Sequence, residues 1–139
     1  MVIDPWQERA AIRHTPRIKR VLCVDDNTDT CALVVETLKA WDVVAEYTHA
    51  EGLGRATAED FDLILLDYHL PDGTGLDLCR QIRLFDATTP IVMVTVTHSI
   101  EHDEVLNAGG QGVIRKDHLI HVLPLAIANA LEVSMRGAR

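Results

Sequence analysis

Residues 63–75 read LILLDYHLPDGTG. The aliphatic run Leu63 to Leu66 has the character of a strand buried on both faces, yet it ends in Asp67. The chain then breaks at Pro71 and Gly73. An isolated buried charge is costly, so a carboxylate in this place is paired, bound to a metal or at the rim of a site. What the rest of the chain brings beside it decides which.

Working outward, short runs rich in Val and Ile recur: IKRVLCVD (18–25), VVAEYTH (43–49), PIVMVTV (90–96) and GQGVIRK (110–116), with FDLILLD (61–67) between them. Each has the length and composition of a strand. Helical spacing separates them. TCALVVETLKAW (30–41) carries Asp29 or Thr30 as its expected N-cap, and GLDLCRQIRLF (75–85) repeats the pattern. IEHDEVLNAGG (100–110) stops at a glycine pair. HLIHVLPLAIANALEVSM (118–135), interrupted by Pro124, closes the series; a helix over 51–58 is weakened by Gly52 and Gly54. Strict alternation of five strands and five helices predicts an α/β three-layer sandwich, a five-stranded parallel sheet joined by right-handed crossovers. Such sheets bind ligands beyond the carboxyl ends of their strands.

At that edge the first strand brings Asp25 and Asp26, the third Asp67, the fourth Thr95 with Thr97 just after, and the fifth Lys116. Crowded carboxylates resist ionising together unless a cation neutralises them. Magnesium suits the set, since it takes one or two carboxylates, keeps waters and bridges to phosphate oxygens. A lysine supplies a point charge for a phosphoryl oxygen, and a threonine hydroxyl a donor. Asp67, at the centre, is the expected nucleophile, forming an acyl phosphate.

Composition sets the outer bounds. The 139 residues are 47% hydrophobic and 24% charged, with 4% aromatic, so one domain with a Val/Leu/Ile/Ala core is expected. Net charge is −8, which argues against a general nucleic-acid binder. Charge is uneven: residues 1–20 set Arg9, Arg13, Arg17, Lys19 and Arg20 against Asp4 and Glu8, giving +3 there and −11 elsewhere. Residues 1–17 are read as a basic leader with Trp6, a solvated arm, an upstream helix or a partner-binding segment, and 18–139 as the domain. Cys23, Cys31 and Cys79 form no even framework and read as reduced core residues. No apolar run approaches the roughly 20 residues of a membrane span, and residues 1–14 lack a signal peptide's apolar region. A cytoplasmic location is expected.

VLCVDDN, LILLDYHLPDGTGLDL, PIVMVTV and the strand ending in Lys116 together resemble the receiver domains of two-component response regulators, the flavodoxin-like phosphoacceptor fold. The likeness covers roughly residues 18 to 135. It implies Asp67 as phosphoacceptor, Thr95 as switch hydroxyl and Lys116 as the family's lysine. It also implies magnesium held by Asp26, Asp67 and the backbone carbonyl of His69, with Asp25 assisting through water. The implied donor is a histidine kinase or histidine phosphotransfer protein, and the output a downstream protein target with no direct nucleic-acid or membrane contact. The fourth helix, fifth strand and fifth helix form the implied reading face, which could also join two copies. No room for an output domain follows residue 116, so either a single-domain regulator or a receiver from a longer protein is expected. Phosphoryl transfer to and from its own aspartate, not turnover of a substrate, is the implied chemistry.

Three positions depart from the family pattern. Lys116 is followed by Asp117 where receivers usually carry proline, which bears on the lysine's reach; the aromatic switch position is Val113; and Val96 stands where a small residue is common. The bulk of Val96 is expected to narrow access to Asp67, while His69 either tunes hydrolysis or is merely solvated. An aspartate-nucleophile phosphohydrolase would want a carboxylate where His69 stands, and the chain is too short for a cap domain. A phosphorylation-independent interaction module is the alternative that the Val113 and Asp117 departures support. GLGRAT (52–57) lacks the third glycine of a dinucleotide fingerprint, and His98, Glu101 and His102, like His118 and His121, lack a full zinc ligand set.

Overall fold

The computed structural model describes residues 19–96, 100–125 and 128. The elements run β1 Arg20–Val24, α1 Thr28–Thr37, β2 Asp42–Glu46, α2 His49–Ala58, β3 Leu63–Asp67, α3 Gly75–Arg83, β4 Ile91–Thr95, α4 His102–Ala108 and β5 Gly112–Arg115. A single 3-10 turn, Lys116–His118, leads into helix α5 over 119–125. All neighbours in the sheet pair in parallel, in the order β2-β1-β3-β4-β5. That is the doubly wound flavodoxin-like order, with its switch point between β1 and β3.

The period-two pattern of the strands builds the three layers. Val21, Cys23, Leu63, Leu65, Val92 and Val94 face α1 and α5, meeting Cys31, Val34, Leu38, Leu119 and Leu123. Leu22, Val24, Ile64, Leu66, Ile91 and Met93 face α2, α3 and α4, meeting Ala56, Leu78, Cys79, Ile82 and Val105. β3 and β4 are buried throughout, which explains their unbroken aliphatic runs. The three cysteines are free and buried, as the composition suggested.

Several boundaries differ from the sequence reading, each for a local reason. The N-cap of α1 is Asn27, not Asp29 or Thr30: its side chain accepts from the amides of both those residues, at 2.9 and 3.3 Å. β2 ends at Glu46 because Thr48 caps α2, accepting from Glu51 N and donating to the Glu51 carboxylate at 2.9 Å. The glycines that weaken α2 by propensity do not prevent it. A Cβ at residue 52 would lie 2.7 Å from a Val24 methyl, so Gly52 is what lets the helix sit against β1. α4 ends at Gly109, whose φ of 101° is the left-handed cap the glycine pair foretold. The 1–17 leader, Thr97, His98 and the continuation of α5 toward 135 lie outside the described residues, apart from residue 128.

Candidate functional site

β1 delivers Asp25 and Asp26 to the carboxyl edge of the sheet, and its neighbour β3 delivers Asp67. One oxygen from each of these carboxylates lies within 4.8 Å of the others. Among the described residues this is the only such group of three metal-type ligands, and the histidines at 102, 118 and 121 join none. Asp25 is 1% exposed; its Oδ1 accepts from Asn27 N at 2.9 Å, and Asn27 in turn starts α1. Asp67 is 6% exposed, whereas Asp26 stands at the open side of the cluster.

Lys116 follows directly on β5 and closes the cluster. Its Nζ is 2.8 Å from Asp25 Oδ2 and 3.5 Å from Asp67 Oδ2. The replacement of proline by Asp117 therefore does not keep the lysine from the site; Asp117 instead pairs with Arg115 at 2.8 Å. Burial alone would lower the pKa of the ammonium, but contact with Asp25 and the charges of Asp25 and Asp67 outweigh it, so its pKa is raised. Asp67 is pushed from 3.8 up to about 6, first by burial and then by the charge of Asp25, against the opposing pull of Lys116. One ammonium is thus shared between Asp25 and Asp67, closer to Asp25, and the deficit of positive charge falls on Asp67.

Two further observations bear on a divalent ion. Asp25 Oδ2 is buried, and among the described residues the Lys116 ammonium at 2.8 Å is the one cation that pairs with it. The donor set is all hard oxygen, with two of its carboxylates buried and one exposed. Both suit a magnesium-sized cation that keeps part of its water shell.

Thr95 ends β4 with 1% exposure, opposite Arg115 in register. The next residue, Val96, is 68% exposed. His69 lies in a two-residue antiparallel ladder, His69–Leu70 against Gly73–Thr74, that follows β3. Its side chain is exposed, its ring edge-on to Tyr68 at 4.7 Å. Val113 packs half-buried against the α2–α4 face of the core. Gly75 closes the ladder: its amide donates to Tyr68 O at 2.8 Å, and a Cβ there would strike the Asp67 carbonyl. Thr74 caps α3 by accepting from Asp77 N.

The family model of the response regulator receiver domain matches residues 21–128. The chain belongs to this family. The receiver is 40% identical over 78 residues to the response regulator ArlR of Staphylococcus saprophyticus, covering 55% of this chain and 35% of that protein. It is 33% identical over 93 residues to the cell cycle transcriptional regulator CtrA of Caulobacter vibrioides, covering 66% and 40%. It thus spans little more than a third of the length of these curated relatives. Among solved structures, a CheY-like receiver domain protein from Methanospirillum hungatei superposes with a TM-score of 0.81 at 30% identity, over 87% of this chain and 99% of that one. A two-component response regulator from Clostridium difficile gives 0.76 at 27% identity, over 82% and 96%. The relatives are response regulators, so the phosphorylation-independent alternative is not favoured.

Three of the receiver's side chains went unread in the sequence. Asn27 lies inside the acidic motif VLCVDDN, yet an Asn before a helical pattern is a cap signal, and it caps α1. Asp72 and His49 meet across 23 residues of chain, and their separate positions carried no signal of the contact.

Proposed function

We propose that this receiver is a phosphoacceptor switch, with residues 18–139 as its domain and Asp67 as the residue modified. The observation that carries the reading is the clustering of three carboxylates at one sheet edge with a half-buried ammonium that pairs with Asp25 and Asp67, Asp67 being the more distant of the two. In the reaction a carboxylate oxygen of Asp67 attacks the phosphorus of a phosphohistidine; the new P–O bond forms as the P–N bond breaks, and the imidazole leaves. The donor is a histidine kinase or a histidine phosphotransfer protein.

Magnesium, when bound by Asp26, Asp67 and the His69 carbonyl with Asp25 assisting, supplies charge neutralisation for the incoming phosphoryl oxygens. Lys116 shifts from Asp67 toward a phosphoryl oxygen while keeping Asp25, and the Thr95 hydroxyl donates to another. The same groups promote loss of the phosphoryl group to water, so the chain acts only on its own aspartate. Phosphorylation biases a two-state equilibrium read by a downstream protein on the α4–β5–α5 face, where a second copy could also dock. Without a ring at Val113 this coupling differs from that of receivers that carry one, or is weaker. This domain contacts neither nucleic acid nor membrane and works in the cytoplasm. No described helix is long and apolar enough to cross a membrane.

The test is intact mass after incubation with acetyl phosphate, with and without magnesium, beside Asp67→Asn. A magnesium-dependent phosphoryl adduct absent from the variant is expected. An adduct of equal size on the variant would refute the assignment of Asp67.

A further inference from the structure

The ladder that follows Asp67 has only two residue pairs, too few to be rigid alone. Its base is fixed by Gly75 and Thr74. Its tip, Pro71–Asp72, is held instead by the first turn of α2. The Asp72 carboxylate accepts from His49 N at 2.7 Å and from Ala50 N at 3.0 Å. The amides of that turn hold the carboxylate of Asp72 below its usual range.

The His49 side chain adds a second grip. It is 11% exposed, and its ring fills the space beside Gly73, where a Cβ would come within 2.9 Å of Cδ2. Its Nε2 lies 3.1 Å from Asp77 Oδ2, in the first turn of α3. A carboxylate accepts, so Nε2 donates. The same oxygen accepts from Gln81 Nε2 at 2.7 Å, a second hold on the Asp77 carboxylate. The ring is therefore wedged between α2 and α3 and lies against the backbone of the ladder.

We infer that His49 is a positioning residue for the metal site: pressed on Gly73 and bonded to Asp77, it sets the ladder that carries the His69 carbonyl. The inference rests on the proposed magnesium reading, in which that carbonyl is the one backbone ligand. Partners that orient metal ligands tune affinity without touching the ion. The Asp72 grip uses backbone amides and survives loss of the ring, so the fold and the ring's effect are separable.

The experiment is magnesium titration by calorimetry of the wild-type chain and of His49→Ala, His49→Gln and Asp77→Ala, each first melted in EDTA to establish folding. Gln keeps a donor at the reach of Nε2. We expect His49→Ala and Asp77→Ala each to weaken magnesium binding about three- to tenfold, the span of one hydrogen bond. His49→Gln should recover most of the loss. Unchanged affinity in both alanine variants while the wild type binds would overturn this inference alone. A failure of His49→Gln to recover affinity would overturn the assigned role of the Nε2 donor. No binding by the wild type would overturn the magnesium reading and this inference with it. Should His49→Ala not fold, Asp77→Ala, which leaves the ring in place, decides the matter.

Discussion

Asp67 sits where its charge is least welcome, and removing that charge should stabilise the metal-free protein. Its carboxyl is shifted from 3.8 to about 6 by burial and by Asp25. A shift of roughly two units corresponds to about 3 kcal/mol at about 1.4 kcal/mol per unit. The cleft opens to solvent on the Asp26 side, and screening there lowers the expected gain to about 1–2 kcal/mol. For a domain of this size that is roughly 4–8 °C in melting temperature. The sign follows from the raised value. Native Asp67 holds its proton to higher pH than the unfolded chain does, so its contribution is full below 3.8 and is lost as pH rises to about 6. Thermal melts of wild type and Asp67→Asn in EDTA, from pH 4 to 8, should show the variant gaining on the wild type across that window and holding a constant lead above it. Magnesium should then raise the wild type and leave the variant nearly unmoved. A variant no more stable than wild type at pH 7.5 in EDTA, or a gap independent of pH, would refute the charge-deficit account of the site.

Two further substitutions probe the same edge. Lys116→Met removes the cation that opposes the rise at Asp67, so the wild type's pH-dependent loss of stability should move to higher pH. Melts in EDTA against pH check this, and an unmoved midpoint would mean that the lysine does not govern Asp67. Gly75→Ala drives a Cβ against the Asp67 carbonyl and to 2.8 Å from Met93 Sδ, where the backbone cannot yield. Denaturant unfolding should show a cost of about 1–3 kcal/mol, and a cost near zero would mean that the ladder yields to the added methyl.

Period and placement carried most of this account. The continuous runs of β3 and β4 announced strands covered on both sides, and they lie at the centre of the sheet. Asp25, Asp26, Asp67 and Lys116 each closed or followed such a run, and an alternating α/β chain sends every strand's carboxyl end to one edge. What the sequence withheld depends on contact between distant segments. Gly52 reads as a helix breaker until Val24 is seen against it. His49 reads as the end of a strand until Asp72 and Asp77 are found around it, 23 and 28 residues away. The reach of Lys116 past Asp117 was equally illegible, because a lysine's long stem tolerates more than one path of the following backbone. The His69 ring, which the sequence left open between tuning hydrolysis and simple solvation, is exposed and leans edge-on against Tyr68.

The central claim is that Asp67 becomes an acyl phosphate. An acyl phosphate is reduced by borohydride to an alcohol, while a free carboxylate is not, so the modified residue can be read by peptide mass. The chain should be incubated with magnesium and a phosphorylated histidine donor, treated with borohydride and digested. Homoserine in place of Asp67, in the peptide containing LILLDYHLPDG, is the predicted result. Reduction at Asp25 or Asp26, or an unmodified peptide after both acetyl phosphate and the histidine donor, would contradict it.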